Sequence, residues 1–169
     1  LQDSPNLGTG TVTVKNDPRV LPVGAILRKT KINELPQLIN ILKGDMSVIG
    51  PRPQTQRCFD VFPKSAQHDI ANVRPGLSGI GSIVFRNEED IMHANTDPDH
   101  LYDNVIMPYK GKLESWYVRN NSVWNYFLLI ALTIPVMLSR SSRLVFRFYA
   151  SLPRPPTALN SFILSDYYE

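Results

Sequence analysis

The sequence predicts an α+β fold, mostly helical with short strands, and three observations carry that expectation. Leu35, Leu38, Ile39 and Leu42 recur at i, i+3, i+4 and i+7, the spacing of one apolar helix face. Residues 9–14 (TGTVTV) and 82–85 (SIVF) are short apolar or β-branched runs of strand length. Fourteen prolines among 169 residues interrupt the chain too often for a regular sheet or a plain helix bundle. That length suits one domain with a real core.

Composition narrows the function classes. A hydrophobic content of 43% and a charged content of 20% are ordinary for a globular protein, and a net charge of +3 is too small to argue for nucleic acid. The positive charge is unevenly placed: Arg140, Arg143, Arg147 and Arg154 lie in a stretch with no acid until Asp166, which suits an anionic membrane surface. A single cysteine, Cys58, excludes an internal disulfide framework and a cysteine-cluster metal site. The chain opens at Leu1 without a signal peptide, and the expectation is a fragment that lacks an N-terminal membrane element.

In chain order, residues 9–14 are expected as a strand, Asn16-Asp17-Pro18 as a turn, and residues 20–28 as a lead-in. A helix follows with Asn33 as its cap, Glu34 in its first turn and Pro36 where helices tolerate it. Its apolar stripe is expected to be buried, and Gly44 to end it, with Lys43 at the negative end of the dipole. Gly50-Pro51-Arg52-Pro53 is a stiff turn that fixes the direction of Arg52. Residues 54–73 are expected to be helical with a break at Pro63, 74–81 (RPGLSGIG) a glycine-rich loop, and 82–85 a strand ending at Arg86. Residues 87–100 are polar surface, and a helix follows Pro108 with Tyr109, Leu113, Trp116 and Tyr117 on one side.

Arg119 and Arg140 bracket 20 uncharged residues. Pro135 and several polar side chains interrupt them, so a core or interfacial helix is expected rather than a full membrane span. Arg140, Arg143 and Arg147 then share a helical face, as in helices that lie among lipid headgroups. The tail beyond residue 151 is proline-rich and expected to drape loosely. The resulting division is residues 1–120 as the catalytic part, 121–150 as interfacial helices of the same domain, and 151–169 as tail.

The chemistry concentrates in residues 27–53, LRKTKINELPQLINILKGDMSVIGPRP. Arg28, Lys29 and Lys31 precede a helix N-terminus, where free N–H groups and the dipole favour anions, so a diphosphate fits there. A solvated basic patch is the plain alternative. Glu34 reads either as a first-turn acid or as a metal ligand or acid/base group beside a phosphate. Mg²⁺ takes only one or two protein carboxylates, and Asp45 offers a second. Arg52, between two prolines, is preorganised for bidentate phosphate binding, and Arg86 has the same two readings, anion ligand or exposed arginine. Gly76, Gly79 and Gly81 would let backbone N–H groups approach an anion, but the order is not GxGxxG and no Walker lysine follows, so a tight turn is the plainer reading. His68, His93 and His100 lack metal spacing and read as surface residues. Glu88, Glu89 and Asp90 read as a solvated acidic edge.

This stretch resembles the signature of the bacterial sugar transferases, the monotopic phosphoglycosyl transferases. NDPRVLPVG before it, RPGLSGIGSIVFRNEED after it, and residues 117–138 are similar to the same family, over roughly residues 8–140. The resemblance implies a catalytic domain with interfacial membrane helices on the cytoplasmic face of the bacterial inner membrane. It implies transfer of a phospho-sugar from a nucleotide sugar, usually a UDP-sugar, to undecaprenyl phosphate, with Mg²⁺ and an Asp-Glu dyad whose Asp forms a covalent phospho-sugar intermediate. Such a step would initiate exopolysaccharide, O-antigen or glycan assembly. Glu34 matches the family's metal-associated acid, and Arg28, Arg52 and Arg86 fall at family arginines expected near the donor diphosphate.

Two departures accompany the resemblance. The dyad reads Asn33-Glu34, and a carboxamide is a far poorer nucleophile than a carboxylate. An Asn-bearing subgroup with direct attack, an engineered inactive variant, and a nucleophile elsewhere all account for it. The family's re-entrant helix and its following basic segment are not in the sequence. A non-catalytic nucleotide-sugar or lipid-binding scaffold is the rival function, favoured by Asn33. A plain membrane-binding module is a third, which leaves the ordered arginines and Glu34 without a role. The expected partners are a UDP-sugar, undecaprenyl phosphate and the anionic membrane surface, with no nucleic acid and room for a homodimer.

Overall fold

The structure is a computed structural model that describes residues 21–29, 35–139 and 142–164. The expected strand at 9–14, the turn at 16–18, the Asn33 cap, Glu34 and Arg140 lie outside the described residues. Those described are mostly helical, with two short strands, as an α+β reading requires.

Helix α1 covers Pro22–Lys29 and α2 covers Leu35–Lys43. Gly44 ends α2 at φ 82°, a left-handed conformation that glycine adopts without penalty. Gly44 N–H donates to Ile41 O at 3.0 Å and Asp45 N–H to Asn40 O at 2.9 Å, the paired closure of a Schellman turn. Arg74 stands beside this negative helix end: a Cβ on Gly44 would lie 3.9 Å from its Nη1. The terminus is as the sequence predicts, but the burial is not. Leu35, Leu38, Ile39 and Leu42 are 44–88% exposed, and no residue of α2 is buried. Periodicity identifies the apolar face; it does not supply a neighbour to cover it.

Strand β1 (Ser47–Ile49) pairs in parallel with β2 (Gly76–Ser78), with Ser47 opposite Gly76 and Ile49 opposite Ser78. Between them run α3 (Gln56–Asp60) and α4 (Lys64–Ala71), separated at Pro63 as expected. The expected strand at 82–85 is instead helix α5, Ile80–Val84. Three consecutive apolar residues carry no readable period, and here Ile83, Val84 and Phe85 are all buried. The polar stretch after it forms α6 (Glu88–His93) and α7 (Pro98–Leu101), with Ile91 and Met92 turned into the core. His68, His93 and His100 are exposed, as expected.

From α7 the helix continues through a π-helical turn, Tyr102–Ile106, into α8, Met107–Arg119. Pro108 explains the widened turn. It has no N–H to give the preceding turn, and its ring would clash with the carbonyl four residues back. Helix α8 is the centre of the core. Tyr109, Leu113 and Tyr117 are buried, and so are Lys110, Glu114 and Ser115. Helix α4 packs along it, and Ser115 Oγ–H donates to Asp69 Oδ2, which also accepts from Arg119 Nε at 2.8 Å. The Ser115 bond comes first among the contacts that hold the Asp69 carboxyl below its usual range.

Helix α9 (Val123–Ser139) contains Pro135 and buries Leu129, Leu132 and Val136 against the core, while Trp124, Phe127 and Ile134 stand exposed. No helix among the described residues is long and apolar enough to cross a membrane. Helix α10 (Arg143–Phe148) presents Arg143 and Arg147 at the surface. Up to Leu164 the tail does not drape loosely. It forms α11 (Thr157–Ile163), with Leu152, Leu159 and Ile163 buried, and Tyr109 O–H donates to Pro153 O at 2.7 Å. Prolines start this helix rather than prevent it. Leu159→Ala is therefore expected to cost about 3 kcal/mol, read as a lower midpoint in urea unfolding with little change in slope.

Candidate active site

The site is built where two turns are forced together. Strand β1 delivers Gly50-Pro51-Arg52, and β2 leads into Gly79 and α5. Ser47 N–H donates to Pro75 O, Gly50 N–H to Ser78 O and Gly76 N–H to Pro51 O, each at 2.9 Å. The glycines allow this contact. A Cβ on Gly76 would overlap Gly50 N and lie 2.6 Å from both Gly50 Cα and Gly50 O, and one on Gly79 would overlap the Gly50 carbonyl oxygen. The glycine run therefore receives the Gly50 backbone. Two of its three N–H groups are committed internally, Gly76 to Pro51 O and Gly81 to Glu114 Oε1 at 3.2 Å, so it is not the phosphate cradle that its composition suggests.

The predicted site residues divide accordingly. Arg52 is half-buried on the turn that the glycine run clamps. Arg86 is exposed, just past the end of α5, on the segment that continues from the same run. Arg28 belongs to α1, and its side chain lies outside the described residues, as do Asn33 and Glu34. Residue 34 adjoins the first residue of α2, and a helix N-terminus favours anions.

Asp45 is exposed and follows the C-terminal end of α2, while Glu34 lies outside the described residues. No group of three or more His, Cys, Asp or Glu that could hold a metal occurs among the described residues.

The sequence reading missed the buried polar group under the glycine run. Glu114 is 3% exposed, and burial pushes its carboxyl up to about 8, against the opposing pull of Lys110 and the Gly81 N–H. Lys110 Nζ binds Glu88 Oε2 at 2.8 Å and sits 5.7 Å from the Phe85 ring centre. Glu88 is thus drawn inward from the expected acidic edge. Lys110 and Glu114, four apart, resemble an ordinary exposed helix pair. The available signal was their place beside the apolar stripe of Tyr109, Leu113 and Tyr117.

The description "Bacterial sugar transferase" is that of the family model that matches residues 2–140. The chain belongs to the bacterial sugar transferase family. It is 35% identical over 127 residues to the undecaprenyl-phosphate galactose phosphotransferase of Salmonella typhimurium, covering 75% of this chain and 23% of that protein. It is 38% identical over 133 residues to the exopolysaccharide production protein ExoY of Rhizobium meliloti, covering 78% of this chain and 51% of that protein. With the UDP-glucose:undecaprenyl-phosphate glucose-1-phosphate transferase of Escherichia coli it shares 32% identity over 127 residues, 73% of this chain and 25% of the other. The chain thus spans about half or less of the length of these relatives.

Proposed function

We propose that this sugar transferase domain moves a phospho-sugar from a nucleotide sugar, of the UDP class, to undecaprenyl phosphate, releasing the nucleoside monophosphate. The observation that carries the reading is the clamped Gly50-Pro51-Arg52 turn within a family match that covers most of the chain. A guanidinium on a turn fixed by three backbone hydrogen bonds is preorganised for a diphosphate, because little motion remains to be frozen when the ligand arrives. Arg28 and Arg86 supply further positive charge to the donor phosphates and to the leaving monophosphate. Mg²⁺ held by Glu34 would supply charge neutralisation at the same phosphates.

The exposed apolar residues support a membrane-facing placement. Val23 and Ile26 on α1, Leu35, Leu38, Ile39 and Leu42 on α2, Trp124, Phe127 and Ile134 on α9, and Phe148 on α10 are all exposed. Exposed apolar side chains of this size suit burial in a lipid interface, and Arg143 and Arg147 on α10 suit anionic headgroups. The cytoplasmic face of the inner membrane brings a lipid phosphate and a soluble nucleotide sugar together.

The test uses full-length protein, Mg²⁺, undecaprenyl phosphate and UDP-sugars labelled in the sugar. Transfer of label to the lipid fraction with release of UMP is expected. Binding of a UDP-sugar without lipid product would overturn the enzyme reading and favour the scaffold, for which Asn33 is the argument.

A further inference from the structure

Glu114 has an unusual environment for a carboxylate. Oε1 accepts the Gly81 N–H at 3.2 Å, whereas Oε2 is buried and has no hydrogen-bond partner. Oε2 faces the notch left by the missing side chain of Gly79. A Cβ there would lie 3.3 Å from Oε2 and would overlap the Gly50 carbonyl oxygen, so the acid and that carbonyl flank the same notch. The neighbouring cation is engaged elsewhere, since Lys110 gives its ammonium to Glu88. An ionised carboxylate here would be desolvated with one oxygen unpaired, which is costly. A neutral carboxyl instead turns Oε2 into a donor, with an acceptor across the notch.

We propose that Glu114 is a positioning residue that carries a proton at neutral pH and, through Oε1 and Oε2–H, joins α8 to the glycine run and to the Gly50-Pro51-Arg52 turn. It acts through Arg52, holding the arginine's turn in register with the segment that leads to Arg86. This deepens the transfer reading, and its activity test rests on that reading.

The charged and titratable groups around Glu114 come from α8, α6 and the turn after β1. Lys110 and Tyr117 flank it on α8, Glu88 pairs with Lys110 from α6, α5 brings no titratable residue, and the turn after β1 carries Arg52. Burial raises the Tyr117 phenol to about 12, and Lys110 is paired with Glu88. Burial raises the Glu114 carboxyl to about 8. Because the folded value lies above the unfolded one, the associated stability is full below the ordinary carboxyl range and is lost as pH rises through about 8.

Full-length protein and its Glu114→Gln variant, a neutral isostere, decide the matter. Wild-type kcat is expected to fall with a one-proton slope above pH ~8, about tenfold per pH unit, whereas the variant stays within about threefold of wild type at pH 7 and lacks that limb. The wild-type melting temperature should fall relative to the variant between pH 6 and 9. An alkaline limb retained by the variant, a melting difference that does not change with pH, or a folded variant inactive at pH 7 would each overturn the proposal. If the variant does not fold, infrared spectra of wild-type protein with ¹³C-labelled glutamate decide. A protonated-carboxyl stretch present at pH 7 and gone at high pH supports a proton on Glu114, and its absence at pH 7 overturns it. Absence of wild-type turnover at every pH refutes the transferase reading, while the melting and infrared measurements still judge Glu114.

Discussion

Replacing Gly76 with alanine is expected to cost about 3–4 kcal/mol and to remove sugar-phosphate transfer even in the fraction that folds. The added methyl would meet backbone rather than a movable side chain: it would overlap Gly50 N and come within 2.6 Å of Gly50 Cα and O. Relief requires β1 and β2 to separate by about 1 Å, and three 2.9 Å backbone hydrogen bonds span that gap. Each contributes about 1 kcal/mol net, and their groups are largely shielded from water, so the loss is a large share of the about 5–15 kcal/mol that holds a domain together. The same shift moves Arg52. Urea unfolding measures the first effect and labelled-lipid formation the second. Wild-type stability and turnover in Gly76→Ala would show that the two turns are not locked.

What could be read from the sequence follows how local each cause is. The end of α2 at Gly44 and the break at Pro63 were legible because the responsible chemistry lies in the residues themselves: a left-handed backbone and a missing N–H. The Arg52 turn was legible as rigid, because prolines flank it, but its clamp was not. The clamp depends on Gly76 and Gly79, more than 25 residues away, meeting the Gly50 backbone. The glycine run therefore left an anion cradle and a tight turn both open, and only the approach of the Gly50 backbone shows that its space belongs to another turn. The exposure of Leu35, Leu38, Ile39 and Leu42 was illegible for the opposite reason: their spacing defines a face, and burial depends on a neighbour. Glu114 was hidden because a lysine and a glutamate four apart look alike on a solvated helix and a buried one, until the elements around α8 are in place.

Glu34→Gln is expected to lower turnover by about 10³-fold or more in full-length protein while leaving the melting temperature nearly unchanged. The variant keeps the size of the side chain and removes its charge. A helix-terminal acid that served only the dipole would be worth about 0.3–1 kcal/mol of stability and nothing in turnover, so the two measurements together separate the readings. A melting shift with full activity would assign Glu34 to the helix and remove it from phosphate chemistry. Asn33→Asp probes the neighbouring position. A carboxylate restores a nucleophile where the amide has little reactivity, so turnover should hold or rise and a phospho-sugar should become trapped on the protein when lipid phosphate is withheld. Loss of turnover in Asn33→Asp would show that the amide itself is required. Direct attack by the lipid phosphate, with Asn33 as a hydrogen-bond partner of the donor, then becomes the chemistry to test.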